Sequence, residues 1–243
     1  MKNRHPALWF IIGYLTTTSM TGQTLASSAP DLSASAAAFR ATAAGSRIRV
    51  AVGPTNRIRM ATEGGSWLEQ EAPTLSSLFD VAYGRERFVT VGNEGAVLTS
   101  SNGVNWRRVE AGTDERLRAV IFGAGMFVAV GYSGTLISSD DAEHWTARES
   151  GTRQRLLSIC YDRDLFVIVG WNGVILTSRD GKRWVCQSCG TTSHLIHISS
   201  VDGLFVALGR DGAVVRSRDG SVWRRAEALA LRRPSRFEPG RRI

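Results

Sequence analysis

Past its first thirty residues, this sequence holds no apolar run long enough to cross a bilayer as a helix, which takes about 20 residues. No transmembrane segment is therefore expected. Cysteine is scarce, with three among 243 residues, and histidine nearly as scarce, with four. Excess charge is missing where a nucleic acid would need it. The net charge is +8, but Lys2, Arg4, Arg232, Arg233, Arg236, Arg241 and Arg242 lie near the two ends. Between Asp31 and Leu231 stand 23 basic and 21 acidic residues, a near balance that gives no basic footprint for nucleic acid. The rest is an ordinary globular mixture, 43% hydrophobic and 21% charged, sufficient for one core.

The ends read as processing and tail segments. Lys2 and Arg4 precede an apolar centre, Ala7 to Leu15, and Thr24-Leu25-Ala26 offers a small-residue cleavage site. Residues 1–26 are therefore expected to be an export signal, which places the mature protein in the periplasm or outside the cell. Residues 27–38, rich in Ser and Ala, read as a linker, and residues 232–243 as a basic, disordered tail.

What the chain has in abundance is repetition. FVTVGNEGAVLTSSNGVNW (Phe88 to Trp106) returns as FVAVGYSGTLISSDDAEHW from Phe127, FVIVGWNGVILTSRDGKRW from Phe166 and FVALGRDGAVVRSRDGSVW from Phe205. A worn copy, RVAVGPTNRIRMATEGGSW, starts at Arg49, and Trp67, Trp106, Trp145, Trp184 and Trp223 recur every 39 residues. A period of that length marks a stacked or radial architecture. Within each unit, short runs rich in Val, Ile, Leu and Phe are bounded by Gly, Asp, Asn or Ser, the pattern of strands joined by tight hairpins. In the third unit the strands fall at Leu117 to Phe122, Phe127 to Val130, Thr135 to Ser138 and from about Trp145. Four strands in 39 residues leave no room for a helix. The expected fold is all-β: a five-bladed β-propeller over residues 39–231, with one four-stranded blade per unit.

The turn between third and fourth strands is the most specific motif. Ser178 to Trp184 and Ser217 to Trp223 share S-x-D-G-x-x-W. The carboxylates of Asp141, Asp180 and Asp219 can accept bonds from their own turn's N–H groups, and the glycine can take positive φ. The indole can bury itself between neighbouring blades. These units resemble the Asp-box, or bacterial neuraminidase repeat, and are most similar to the repeats of photosystem II assembly-factor-like propellers. The resemblance covers Phe39 to about Arg233 and implies that the boxes are structural and lie away from any active site. The sialidase box usually has one more residue between Asp and Gly. Asn102 replaces the acid in the second unit, Ala142 the glycine in the third, and the first unit, with Ala61 and Glu63, is degenerate.

Hydrolysis of a glycoside needs positioned carboxylates, or a tyrosine with an acid, in one pocket that breaks the repeat symmetry. The period never slips, so there are no insertions to carry such a pocket. The positions equivalent to Arg118 are Arg40, Phe79, Leu157 and Ile196, which gives no arginine triad for a sialic acid carboxylate. No catalytic residue is assigned, and a sialidase-like hydrolase is the least favoured reading. Cys186 and Cys189, with His194 and His197, make C-x2-C-x4-H-x2-H, a spacing unlike a familiar zinc finger. In an exported protein a local Cys186–Cys189 disulfide, or free thiols, is the expectation, and no metal or cofactor is assigned.

The candidate binding surface is formed by the loops between second and third strands. There, paired glycines, with Asn56 in place of the second in the first unit, hold a pair of changing residues: Pro54-Thr55, Asn93-Glu94, Tyr132-Ser133, Trp171-Asn172 and Arg210-Asp211. Constant glycines with variable residues between them describe a fixed scaffold that presents a changing surface. Tyr132 and Trp171 can anchor a protein partner or stack on a sugar, or can fold down over neighbouring blades. Asn93, Glu94, Asn172, Arg210 and Asp211 supply polar contacts, and the links from Glu110 to Arg116 and Glu149 to Arg155 complete the face. The function expected is a non-catalytic protein-interaction or assembly scaffold. A glycan-binding propeller similar to tachylectin is the alternative, although it would show like pockets repeated around the ring.

Overall fold

The computed structural model describes residues 39–226. The expected export signal (1–26), linker (27–38) and basic tail (232–243), and the end of the fifth unit, lie outside the described residues. Every 39-residue unit forms one antiparallel four-stranded sheet, in which the strands follow chain order. Blade one is β1 (Ala41–Ala44), β2 (Ile48–Val52), β3 (Ile58–Thr62) and β4 (Leu68–Gln70). Blade two is β5 (Leu78–Gly84), β6 (Arg87–Gly92), β7 (Val97–Ser100) and β8 (Arg107–Val109). Blade three is β9 (Leu117–Gly123), β10 (Met126–Gly131), β11 (Leu136–Ser139) and β12 (Thr146–Ala147). Blade four is β13 (Leu156–Asp162), β14 (Leu165–Gly170), β15 (Ile175–Ser178) and β16 (Val185–Gln187). Blade five is β17 (Leu195–Val201), β18 (Leu204–Gly209), β19 (Val214–Ser217) and β20 (Arg224–Ala226). The first strands of successive blades pack on one another, β1 on β5, β5 on β9, β9 on β13 and β13 on β17. The first strands thus line the inside of the arc, and the fourth strands form its rim. The fold is a five-bladed β-propeller, as the period predicts.

Because side chains alternate across a strand, each blade has a side facing the blade before it and a side facing the blade after it. Four apolar cores fill the four seams between successive blades. In each, the later blade pushes a fully buried phenylalanine into the earlier one: Phe88, Phe127, Phe166 and Phe205. The box tryptophans Trp106, Trp145, Trp184 and Trp223 join the same four cores, as expected. Trp67 joins none of them. It sits half-buried under the Arg49 guanidinium, at the degenerate first unit.

Among the described residues no fifth core joins blade five to blade one. In β10 and β14 all six residues are buried, whereas in β18 burial alternates, leaving Leu204, Val206 and Leu208 half-exposed. Blade one's outward side is built differently. Arg49 stands where later units have the seam phenylalanine, and Arg59 where they have Leu98, Ile137, Leu176 or Val215. Arg57 and Arg59 pair with Glu69 and lie over the Phe39 ring. A terminal repeat whose outer face is polar is a cap, the usual way such arrays end in water.

The turn chemistry matches its expected physics. Asp180 Oδ1 accepts from the N–H groups of Lys182 (2.9 Å) and Arg183 (2.8 Å), Ser178 Oγ accepts from Gly181 N–H (2.9 Å), and the Trp184 indole N–H donates to Gly181 O (3.3 Å). Asp219 and Asn102 repeat this arrangement. Asp141 accepts the same two N–H bonds, but with Ala142 in the glycine's place the buried Trp145 Nε1 has no partner among the described residues. The Arg183 and Lys182 N–H groups hold the Asp180 carboxyl well below the ordinary range, Val222 and Ser221 do so for Asp219, and for Asp141 the His144 contact leads.

At pH 7, Asp180→Ala is expected to cost about 1 kcal/mol, the scale of a lost side-chain cap, because its carboxylate is nearly half exposed. That corresponds to roughly 2–4 °C in melting temperature for a domain of this size. Asp180→Asn, which imitates the natural Asn102, is expected to cost less. A folded pKa below the unfolded one stabilises above the unfolded value and is lost as pH falls through the folded one. The deficit of Asp180→Ala should accordingly shrink below about pH 4, which thermal melts across pH would test.

Candidate functional site

The loops between second and third strands, and the links entering each blade, share one face of the arc. Their backbones interlock. The N–H groups of Asn93, Tyr132, Trp171 and Arg210 donate to the carbonyls of Ser77, Arg116, Arg155 and His194, at 2.9–3.0 Å. In blades two to four the second glycine of the pair is fixed by this close approach. Gly134 and Gly173 have φ of 73° and 70°, and a Cβ there would lie 1.9 Å from the carbonyl oxygen of Thr152 or Thr191 in the following link. The residue before that glycine also has positive φ, 54° at Ser133 and at Asn172, so these two pairs sit on turns with no freedom to rearrange.

On this rigid face, arginines and rings alternate from blade to blade. Each link delivers its last residue between the loop tips of two blades. Arg155 lies 4.2 Å from the Tyr132 ring centroid and 4.1 Å from that of Trp171. Arg116 lies 5.4 Å from Phe79 and 5.0 Å from Tyr132. Trp171 stacks on His194, with centroids 4.6 Å apart and planes within 4°. Toward the inner side, Arg40 and Arg118 lie 4.9 Å and 5.3 Å from Phe79. A ladder therefore runs from Arg40 in front of blade one, through Phe79, Arg118, Arg116, Tyr132, Arg155 and Trp171, to His194 at blade five.

The inner rungs owe their position to a backbone irregularity. In each of blades two to five the first strand slips register near its start, leaving Phe79, Arg118, Leu157 or Ile196 unpaired. A bulge of this kind re-aims one side chain. Beside it, Asp80 Oδ2 accepts from Val120 N–H and Oδ1 from Val81 N–H, both at 2.9 Å, tying blade two to blade three. Burial pushes the Asp80 carboxyl up to about 6, against the pull of those two donors and of Arg118. Burial likewise lowers the Arg118 pKa, partly offset by Asp80.

Four guanidinium groups thus meet here, and among the described residues Arg40, Arg116, Arg118 and Arg155 form no ion pair with a carboxylate. A guanidinium held between ring faces is oriented in advance and keeps its N–H groups for a ligand. Such an array suits a carboxylate or another planar anion.

The sequence-predicted residues divide. Tyr132 and Trp171 are rungs of the ladder, half-buried against their neighbours rather than standing free as tips. The Asn172 N–H donates to His194 Nδ1 at 3.2 Å, fixing that ring. Asn93 Oδ1 is buried without a partner among the described residues. Glu94 accepts from Ser76 Oγ at 2.9 Å and Asp211 from Ser193 Oγ, so both carboxylates are turned to their own links. Arg210 is exposed beyond His194. Comparing Arg118 only with its repeat equivalents hid the arginine cluster, because Arg116 and Arg155 occupy a different repeat position. The signal that could have found it is the basic residue immediately before Leu117 and Leu156.

The Cys186–Cys189 disulfide does not form in this structure. All three cysteines are free, Cys186 exposed and Cys189 buried, with the Cys189 thiol 3.0 Å from Gly173 O. Cys186 lies in β16 on the rim, whereas Cys189 packs in the seam with blade five, so the two thiols occupy different environments. His194 stacks on Trp171, while burial lowers the pKa of His197 in β17.

No protein-family model and no curated protein sequence matches the chain. Solved structures do match it. A structure described as YCF48 bound to D1 peptide aligns with TM-score 0.60 at 15% identity, over 76% of this chain and 65% of that one. YCF48 from Cyanidioschyzon merolae aligns with TM-score 0.60 at 15% identity, over 77% of this chain and 71% of that one. The fold is a β-propeller similar to YCF48. The WD40 propeller domain of Doa1 is a further match, with TM-score 0.55 and 15% identity over 79% and 69% of the two chains. The chain spans 65% of the first YCF48 structure's length.

Asp80 gives a pH test of the seam beside the ladder. Between its ordinary value near 3.8 and its folded value near 6, the folded chain holds a proton that the unfolded chain has released. Lowering pH from 7 to 5 should therefore add stability from this group, about 1 kcal/mol. Chemical denaturation of wild type and Asp80→Ala at both pH values checks it. The wild-type gain should exceed that of the variant.

Proposed function

We propose that the chain is an exported, non-catalytic scaffold that binds a protein partner, gripping an extended acidic or carboxylate-terminated segment on the arginine–aromatic ladder. The observation that carries this reading is the set of four guanidinium groups, set against rings and in no ion pair with a carboxylate among the described residues, on the rigid loop face. The likeness to YCF48, one structure of which holds a D1 peptide, supports it at the level of the fold. The leader in residues 1–26 supports export. Against a lectin, Trp171 is already stacked with Arg155 and His194, and Tyr132 lies between two guanidiniums, so neither ring is presented for a sugar.

Fluorescence anisotropy with short fluorescein-labelled peptides tests this reading. A peptide ending in Asp or Glu with a free carboxylate is expected to bind, and its C-terminal amide to bind less tightly. Arg116→Ala and Arg155→Ala should each weaken binding by about tenfold, the scale of one lost charge-assisted bond, and more strongly at low salt. Unchanged binding in both variants, or a preference for neutral glycans on an array, would count against the proposal.

A further inference from the structure

The ladder leaves one prominent surface without a role: the side of blade five that faces away from blade four. Strand register places Leu204, Val206, Leu208 and Val214 on that side, and all four are half-exposed. The matching sides of blades one to four each receive the phenylalanine of the next blade and are buried by it. Blade five keeps the receiving side. It has also gained charge there. Arg216 pairs in register with Arg224, so both lie on this side, where Thr99, Ser138 and Thr177 stand in blades two to four. Neither arginine has a carboxylate partner among the described residues.

These residues restrict the occupant. A second copy joining head to tail would bring blade one's outward side, where Arg49, Arg57 and Arg59 outnumber Glu69, against Arg216 and Arg224. The chain's own C-terminal end is basic as well, with Arg232, Arg233, Arg236, Arg241 and Arg242. Like charges are disfavoured in so close a contact. We propose that the open side of blade five docks an acidic, phenylalanine-bearing β-hairpin of another protein, which adds to the arc as a sixth sheet. The phenylalanine would fill the place that Phe127 fills on blade two, with the carboxylates opposite Arg216 and Arg224. This surface is separate from the ladder and does not depend on what the ladder binds.

The test uses the full chain and a defined probe. The probe is a cyclised synthetic peptide with the sequence of residues 156–178 and Ser in place of Cys160. In the protein, this segment presents Tyr161, Phe166 and Leu176 to blade three. Two forms are compared, one with Ser178→Glu and one with Ser178→Lys. The Glu form is expected to bind at least about tenfold more tightly, as one favourable charge contact at this scale allows. Binding should vanish in Val206→Asp with the fold retained by circular dichroism. Exchanging both arginines, R216E with R224E, should invert the preference between the two peptides. Binding blind to the charge at position 178, or no binding of either form, would overturn the proposal. So would a dimer in native mass spectrometry that is lost in Val206→Asp, or a photocrosslinker at position 208 that captures only residues 227–243.

Discussion

The structure rests on one contact made four times: a phenylalanine from the second strand of a blade pressed into the apolar side of the blade before it. Phe88, Phe127, Phe166 and Phe205 are fully buried, and nothing in a lone four-stranded sheet could hide them. Each blade depends on its neighbour to exclude water, so the array is stable only as a series. The constant length of the unit follows, since a change of one residue in a strand would turn the phenylalanine to the other face. The same stacking brings the links within contact of the loop tips. The carbonyls of Thr152 and Thr191 leave no room for a side chain at Gly134 and Gly173.

The loop face inherits its rigidity from those seams, and its chemistry follows. Where the backbone is locked, residues that differ between units are free to vary in kind without moving in place. Arg116 and Arg155 are delivered between successive tips by links whose carbonyls bond the tips' own N–H groups. Packing against rings orients the guanidiniums, so little ordering entropy remains to be lost when a carboxylate arrives. Loops on a fixed scaffold are a common place for binding, and here the scaffold also supplies an electropositive surface from a body that is nearly neutral.

Much of this was legible in the sequence. The spacing of Trp67, Trp106, Trp145, Trp184 and Trp223 gave the blades, and the runs around Leu117, Phe127 and Thr135 gave the strands to within a residue or two. The Ser-Asp-Gly turn announced its own hydrogen bonds, because they are local. The ladder was not legible as a unit. Its members come from three repeat positions on neighbouring blades, and aligning units on one another compares only like positions. Tyr132 and Trp171 were found as aromatic tips, but that each would share a guanidinium with its neighbour depends on the angle between blades. The unsealed seam was hidden for the same reason, although Arg49 and Arg59, standing where later units have Phe and an aliphatic residue, were visible traces of it. Of the disulfide and the free thiols that the sequence left open, the structure holds the free thiols: proximity of Cys186 and Cys189 in sequence does not bring their side chains together once one lies on the rim and the other in a seam.

The central claim is that, among the described residues, four sides of the blades are sealed by their successors and a fifth is not. Val128 and Val206 occupy the same repeat position, the first fully buried and the second half-exposed. Thermal unfolding of Val128→Asp and Val206→Asp compares them directly. Burying an unpaired carboxylate costs several kcal/mol, so Val128→Asp is expected to lose its cooperative transition or to melt far below wild type. Val206→Asp should melt within a few degrees of wild type, since a surface substitution costs about 0.5 kcal/mol or less. Equal and severe destabilisation in both variants would contradict the account, because it would mean that the side of blade five is sealed after all.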